Sequence, residues 1–206
     1  MSVLKIVQRY SAETETDNLS CGNNLAFATL AAGDIVIDLG CGRGRETIAA
    51  ALAVNAGYAY GLDITPQMIE AAEAAAVEQG IANVKFSVGS FELLPYPADF
   101  ATVIMSNCAI NHVQDKQKVY SEIYRVLQNG GYFIVSDIMA QQALPPEITS
   151  DPEAVAACFG GAIPSDMYFA AISKAGFDEV EVLKERHYVK NGYGLISRTL
   201  RAYKQA

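Results

Sequence analysis

A glycine-rich segment where a strand meets a helix constrains this chain more than any other feature. It reads Asp-Leu-Gly-Cys-Gly-Arg-Gly-Arg-Glu over 38–46 and follows the apolar run Ile35–Leu39, which predicts a buried strand. An Ala-rich run over 45–55 predicts the helix. Glycines let a ligand approach the backbone, and the helix N-terminus offers free N–H groups. The third glycine is Gly44, and Arg45 stands where a G-x-G-x-x-G dinucleotide fingerprint needs glycine, so that fingerprint is broken.

The rest of the chain alternates short apolar runs with longer helical ones, which predicts a parallel sheet built from β-α-β units. The predicted strands cover 35–39, 58–63, 84–88, 100–106 and 132–137, and the predicted helices cover 45–55, 66–79 and 115–127. Two short helices over 152–158 and 164–175 precede β-rich runs over 180–189 and 195–203. Asn191-Gly192 is a hairpin signal, so we expect the sheet to end in an antiparallel pair.

Composition limits the classes of function. The 206 residues fit one domain, and we expect a single domain over 1–206. A net charge of −8 gives no general attraction for phosphate backbones, so nucleic acid is a poor candidate partner. No apolar run reaches the ~20 residues that span a bilayer, and the first residues lack a signal-peptide pattern. We therefore expect a cytoplasmic protein without a membrane partner.

The chain has four cysteines, at positions 21, 41, 108 and 158, and no C-x-x-C pair. Their spacing excludes a zinc ribbon or a thioredoxin motif. In a cytoplasmic protein they should be mostly free thiols. Cys41 lies inside the glycine segment and is expected to pack between helix and strand.

An acidic residue, Asp63, ends the second predicted strand, where a carboxylate can accept both hydroxyls of a ribose. Together with the Asp-x-Gly-x-Gly-x-Gly segment it resembles the S-adenosylmethionine (SAM) loop of class I methyltransferases. The resemblance implies a Rossmann-like α/β three-layer sandwich with a seven-stranded, mostly parallel sheet in the order 3-2-1-4-5-7-6. The implied cofactor is SAM, with a lid over 1–30. The residues expected to bind it are Tyr10, Asp38, Gly40, Gly42, Gly44, Asp63, Ile64, Met68, Ser90, Phe91 and Asn107.

Beyond this loop, the sequence resembles the arsenite methyltransferases from about residue 35 to 176. The matching pieces are Ser106-Asn107-Cys108-Ala109-Ile110-Asn111 with Asp115-Lys116, Tyr124-Arg125-Val126-Leu127, Ser136-Asp137, Leu144-Pro145-Pro146-Glu147-Ile148 and Cys158-Phe159-Gly160-Gly161-Ala162. The resemblance implies that Cys21, Cys108 and Cys158 bind trivalent arsenic beside the methyl group of SAM. It implies no resident metal. We interpret 138–176 as an insertion on the substrate side.

Two other functions remain open at this stage. The acceptor of the methyl group is an organic small molecule if the cysteines belong to the core, with His112 or a tyrosine as the base. Alternatively, the chain binds a soft metal or metalloid without turnover, although a thiol trap needs no nucleotide site. For His112 we favour a role as cap of the following helix, and for His187 a structural role. The sequence does not fix the oligomeric state.

Overall fold

The computed structural model describes residues 2–12 and 23–205. Seven strands form one sheet in the order β3-β2-β1-β4-β5-β7-β6. The strands are β1 Ile35–Leu39, β2 Tyr58–Asp63, β3 Val84–Val88, β4 Ala101–Asn107, β5 Leu127–Ala140, β6 Glu181–Lys190 and β7 Tyr193–Tyr203. Only β7 runs antiparallel to its neighbours β5 and β6, as the hairpin signal predicts. The expected sheet order and fold class are confirmed.

Helices cover both faces of the sheet. They are α1 Ser2–Ala12, α2 Arg45–Val54, α3 Pro66–Glu78, α4 Lys116–Val126, α5 Pro146–Thr149, α6 Pro152–Ala156 and α7 Ser165–Lys174. Successive residues of a strand point to opposite faces. Val36 therefore packs with Ala50 and Ala51 of α2, whereas Ile37 belongs to the cluster that holds α4 and α7. Since both faces are covered, β1 and β4 are buried along most of their length.

The chain departs from the sequence prediction at two places. The helix predicted over 115–127 ends at Val126, and β5 starts at once rather than at 132. The cause is tertiary pairing, because Gly130 N–H donates to the Lys204 carbonyl and Lys204 N–H donates to that of Gly131. The second departure is helix α1, which the sequence analysis did not predict. Among the described residues, no helix is long and apolar enough to span a bilayer.

Candidate active site

A cavity of about 400 Å³ opens at the carboxyl ends of β1, β2 and β4, with α1 as one wall. Its volume lies within the ~300–1,000 Å³ typical of small-molecule sites. Eleven residues expected at the site line it: Tyr10, Asp38, Gly40, Gly42, Asp63, Ile64, Met68, Ser90, Phe91, Asn107 and Cys108. Gly44 and Cys158 are not part of the lining, and Cys21 lies outside the described residues. The sequence analysis named only Tyr10 from α1, but Val3 and Ile6 of the same helix also line the cavity.

The three glycines of the loop have different physical roles. All three have positive φ, which favours glycine. A Cβ on Gly40 would lie 2.3 Å from Cβ of Ala109, so this glycine allows the loop to pack against the end of β4. A Cβ on Gly44 would lie 2.7 Å from the Phe86 ring, so Gly44 lets α2 begin close to the sheet. No described residue lies within 4 Å of a Cβ added at Gly42, which makes it the glycine whose backbone is open to a ligand.

Two aspartates hold the loop in place, Asp38 buried and Asp63 half-buried. Oδ2 of Asp63 accepts the Gly42 N–H at 3.0 Å, and its Oδ1 accepts the Thr65 N–H at 2.9 Å. The carboxylate therefore joins the glycine loop to the end of β2 while it faces the cavity. Oδ2 of Asp38 accepts the Thr47 hydroxyl at 2.7 Å, which anchors the first turn of α2. Burial raises the pKa of Asp38 to about 7.

The two described cysteines implied by the resemblance meet at the edge of this cavity. Cys108 follows β4 and lines the cavity, and the Cys158 thiol donates to the Cys108 carbonyl over 2.9 Å. Both residues have positive φ, 54° and 72°. Such backbone is uncommon outside glycine and collects at functional sites. Cys158 is a free thiol and Cys108 is in a disulfide, so a thiolate pair requires reduced protein. Burial raises the pKa of the Cys158 thiol.

A buried polar network lies next to these sulfur atoms. Sγ of Cys108, Sγ of Cys158 and a carboxylate oxygen of Asp137 lie within 4.8 Å of one another. Burial raises the pKa of Asp137 to about 6, and the nearby Lys116 ammonium opposes that rise. The Lys116 ammonium donates to the carbonyls of Val113 and Gly161 and so joins the two loops that carry the cysteines. The sequence analysis used Asp137 only as part of a family motif, because no pattern in the neighbouring residues predicts that it lies close to the thiols.

His112 corrects one sequence expectation. The cap of α4 is Asp115, whose side chain accepts the Lys118 N–H. The His112 ring instead lies 3.0 Å from the Val155 carbonyl through Nδ1 and 3.1 Å from the Tyr10 hydroxyl through Nε2. A carbonyl only accepts, so Nδ1 carries the proton and Nε2 accepts from Tyr10. Burial lowers the pKa of His112 to about 4, so the ring is neutral and links α1 to α6.

Two other expectations can be compared with the described residues, and one lining residue was missed. Cys41 packs in a cluster with Ile48 and Phe86, in accord with its expected packing role, and it also lines the cavity. His187 is an exposed residue of β6 paired with Glu185, which accords with a structural role. Glu46 was missed by sequence reasoning, although it lines the cavity and accepts the Asn24 N–H at 3.0 Å. Only tertiary contact reveals that it ties the segment after residue 22 to the glycine loop.

The sheet order, the glycine loop after β1 and the acidic end of β2 define the class I methyltransferase fold. The family model described as "Methyltransferase domain" matches residues 30–194. The chain therefore belongs to the methyltransferase domain family.

Within that family, the relatives are informative. An arsenite methyltransferase of Halobacterium salinarum is 37% identical over 165 residues, which are 80% of this chain and 42% of the relative. The human arsenite methyltransferase is 34% identical and matches 69% of this chain and 40% of its own length. An arsenic(III) S-adenosylmethionine methyltransferase structure from Chlamydomonas reinhardtii has a TM-score of 0.83 and 28% identity. The match covers 97% of this chain and 74% of the Chlamydomonas chain. The expected resemblance to arsenite methyltransferases is confirmed.

Proposed function

We propose that the chain transfers the methyl group of SAM to trivalent arsenic held by the thiolates of Cys108 and Cys158, with Cys21 as a third ligand. The observation that carries this proposal is the position of Cys108. It lines the cavity expected to hold the cofactor, and its Sγ is within 4.8 Å of Sγ of Cys158. The chain spans between 37% and 54% of the length of the first curated relatives, so we base this proposal on the residues of the chain itself.

The cavity residues fit SAM. Gly42 leaves its backbone open to a ligand, and the Asp63 carboxylate faces the same space beside it. A carboxylate offers about four acceptor positions, enough to receive ribose hydroxyls as well as backbone N–H groups. Phe91 and Met68 provide apolar surface for the adenine ring of the cofactor. When bound, the cofactor supplies an electrophilic methyl group on a sulfonium.

The cysteines would perform the acceptor chemistry. Trivalent arsenic is soft and prefers thiolate sulfur to oxygen. Each thiol that replaces a hydroxyl on arsenic releases one water, which carries away the thiol proton. The bound arsenic keeps its lone pair, which can attack a methyl carbon in line. No general base is needed at that step, so the role of the protein is positioning, worth up to ~7–11 kcal/mol in well-oriented reactions.

A base-dependent alternative has less support in the described geometry. Methylation of an organic hydroxyl or amine would need a base at the cavity, for which the candidates were His112 and a tyrosine. Nδ1 of His112 carries a proton, and its Nε2 already accepts from the Tyr10 hydroxyl. A thiol trap without turnover would leave the glycine loop and Asp63 without a purpose.

A binding titration tests the proposal. Phosphine-reduced protein is titrated with arsenite by calorimetry, with and without S-adenosylhomocysteine (SAH), and methylated arsenic is assayed with SAM. We expect Cys108→Ser and Cys158→Ser to lose arsenite binding and turnover but to keep SAH affinity. Cys41→Ser is the matched control for arsenite binding, since Cys41 packs with Ile48 and Phe86 and is not part of the cluster of Cys108, Cys158 and Asp137, and it should keep arsenite affinity. Asp63→Ala should weaken SAH at least about 10-fold and leave arsenite binding intact. Turnover that survives both serine variants would refute thiolate-held arsenic.

The extent and location of the protein are also proposals. The α1 wall supports a lid over 1–30, and the position of Cys158 supports a substrate-side role for 138–176. A single domain over 1–206 and a small-molecule or metalloid substrate complete the proposal. The cytoplasmic location stays a prediction, which fractionation of cells that express the protein would test.

A further inference from the structure

Asp137 lies beside the two thiols and has no role in the mechanism so far. It belongs to β5 and is 1% exposed. One of its carboxylate oxygens lies within 4.8 Å of Sγ of Cys108 and of Sγ of Cys158. On the thiol side, Cys108 and Cys158 share a buried cluster with Ile138, Leu144 and Phe159, and the Lys116 ammonium lies near Asp137 and Cys158. A polar group of a ligand bound there would meet little competition from water.

The hydrogen bonds of this carboxylate leave room for one more donor. Oδ1 accepts the Ile138 N–H at 2.9 Å, and Oδ2 accepts the Tyr168 hydroxyl at 3.0 Å. The Asn111 N–H is a third donor. An ionised carboxylate has about four acceptor positions. The Tyr168 hydroxyl in turn accepts from Tyr120, which fixes the direction of its own donation.

Arsenous acid held by two thiols keeps a hydroxyl. Two As–O bonds break, two As–S bonds form, and two waters leave with the two thiol protons, so one As–OH remains and no oxidant or reductant is consumed. A soft arsenic centre disfavours a carboxylate as a direct ligand when thiolates are present. The As–OH proton, however, is a donor suited to a charged acceptor.

We propose that Asp137 is a specificity-determining residue that acts while arsenic is bound to Cys108 and Cys158 alone: it accepts a hydrogen bond from the remaining As–OH before the Cys21 thiol replaces that hydroxyl and releases a third water. The proposal rests on the proposed function. It means that the site selects arsenicals that keep a hydroxyl after two thiols have bound. An organoarsenous acid with one carbon substituent has only two exchangeable groups, so it presents no hydroxyl to Asp137.

The test compares two arsenicals on matched variants. All proteins carry Cys21→Ser, so that this thiol cannot replace the hydroxyl, and are reduced with a phosphine. The dissociation constants of arsenite and of phenylarsenous acid are measured by calorimetry. Asp137→Asn should weaken arsenite about 10- to 100-fold, the range for loss of a charge-assisted hydrogen bond, and leave phenylarsenous acid within about threefold. The control Tyr168→Phe removes a donor but keeps the carboxylate, and should keep the affinity for both ligands.

Other results would overturn the proposal in recognisable ways. An equal loss for both arsenicals would mean that Asp137 only positions the loops, and no loss would mean that the hydroxyl is not held. If the parent protein binds neither arsenical while SAH still binds, the proposed function itself fails. SAH affinity also reports whether Asp137→Asn folds. If it does not, X-ray absorption at the arsenic edge on the parent decides, with excess small thiol present. Two sulfurs and one oxygen are expected, and three sulfurs would contradict a held hydroxyl.

Discussion

At the scale of single residues, burial of carboxylates shapes how this molecule responds to pH. Asp38 is 3% exposed, and burial is the largest cause of its raised pKa, ahead of the opposing hydrogen bond from Thr47. Its native pKa of about 7 compares with an ordinary value of 3.8 for an aspartate carboxyl. Between these values the native state binds more protons than the unfolded state, so the Asp38 contribution to stability falls as pH rises.

Replacement of Asp38 by Asn should therefore remove the loss of stability that this carboxyl causes as pH rises. Asn does not titrate and its oxygen can still accept from Thr47. We expect the free energy of unfolding of Asp38→Asn, minus that of the unchanged protein, to increase between about pH 4 and 7, by at most about 1.4 kcal/mol per pH unit, and to level off above. Urea unfolding at intervals of one pH unit measures it. Gln117→Ala, at an exposed site on α4 that does not titrate, is the control and should give a flat difference. A flat difference for Asp38→Asn would contradict a buried carboxyl with a raised pKa.

Residues of the site differ in how far the sequence could predict them. Asp38 and Asp63 were predicted because their roles follow from strand, loop and helix that are contiguous in the chain. His112, Glu46 and Asp137 were not, since their functions depend on partners far away in sequence, such as Tyr10 and Val155 for His112. Local pattern cannot supply such contacts.

At the scale of elements, glycine fixes how closely α2 approaches the sheet. Gly44 has φ +76°, and an added Cβ would lie 2.7 and 2.8 Å from the Phe86 ring and 2.9 Å from Ala72. Gly80, after α3, has a similar φ of +66° but nothing within 4 Å. Alanine variants at Gly44 and Gly80 share the strain of left-handed backbone, but only the variant at Gly44 adds a steric overlap. A comparison of the two therefore separates these effects.

We expect Gly80→Ala to lower the free energy of unfolding by about 1–2 kcal/mol, the cost of left-handed backbone. Gly44→Ala should cost at least about 1 kcal/mol more, because overpacking adds to that strain. Chemical denaturation of the two variants measures the difference. Equal losses of unfolding free energy in the two variants would mean that Phe86 and Ala72 move aside without destabilising the fold.

Helix α1 closes one side of the cavity, and its tie to His112 should matter for ligand affinity. Tyr10→Phe removes a buried hydroxyl that donates to His112, which is worth about 1 kcal/mol, so SAH should bind about fivefold more weakly. Hydrogen exchange should show that SAH protects residues 2–12 less in this variant. Lys5→Gln breaks an exposed ion pair between α1 and Glu153 and should change affinity less than twofold. If Tyr10→Phe behaves like Lys5→Gln, α1 does not close over the ligand.

The regular elements were predicted well where the period of apolar residues was clear, as in β1 to β4. The long β5 was predicted too short, because Leu127 and its neighbours pair only through contacts with the distant β7 and β4. Helix α1 was missed although its sequence is amphipathic; the structure packs it against α6, where it forms one wall of the cavity.

At the scale of the whole molecule, one cavity joins elements that are spread over residues 3–114 of the chain. Its lining comes from α1, the glycine loop, the end of β2 and the segments after β3 and β4. The strands that carry these segments belong to one continuous sheet, so a ligand there should stabilise the whole domain rather than one part of it. At 100 times its dissociation constant, SAH should add about 2.7 kcal/mol to the free energy of unfolding. For a chain of this length that corresponds to a rise in midpoint of roughly 5–10 °C.

Calorimetric unfolding with and without SAH measures this rise and also tests the single domain over 1–206. We expect one transition that moves as a unit, because the sheet is continuous from β3 to β6 and the two core clusters share its central strands. In Asp63→Ala the same SAH concentration should produce a smaller rise, since that carboxylate holds the glycine loop against the ligand. Two transitions, with only one moved by SAH, would mean that the C-terminal strands fold independently of the cavity.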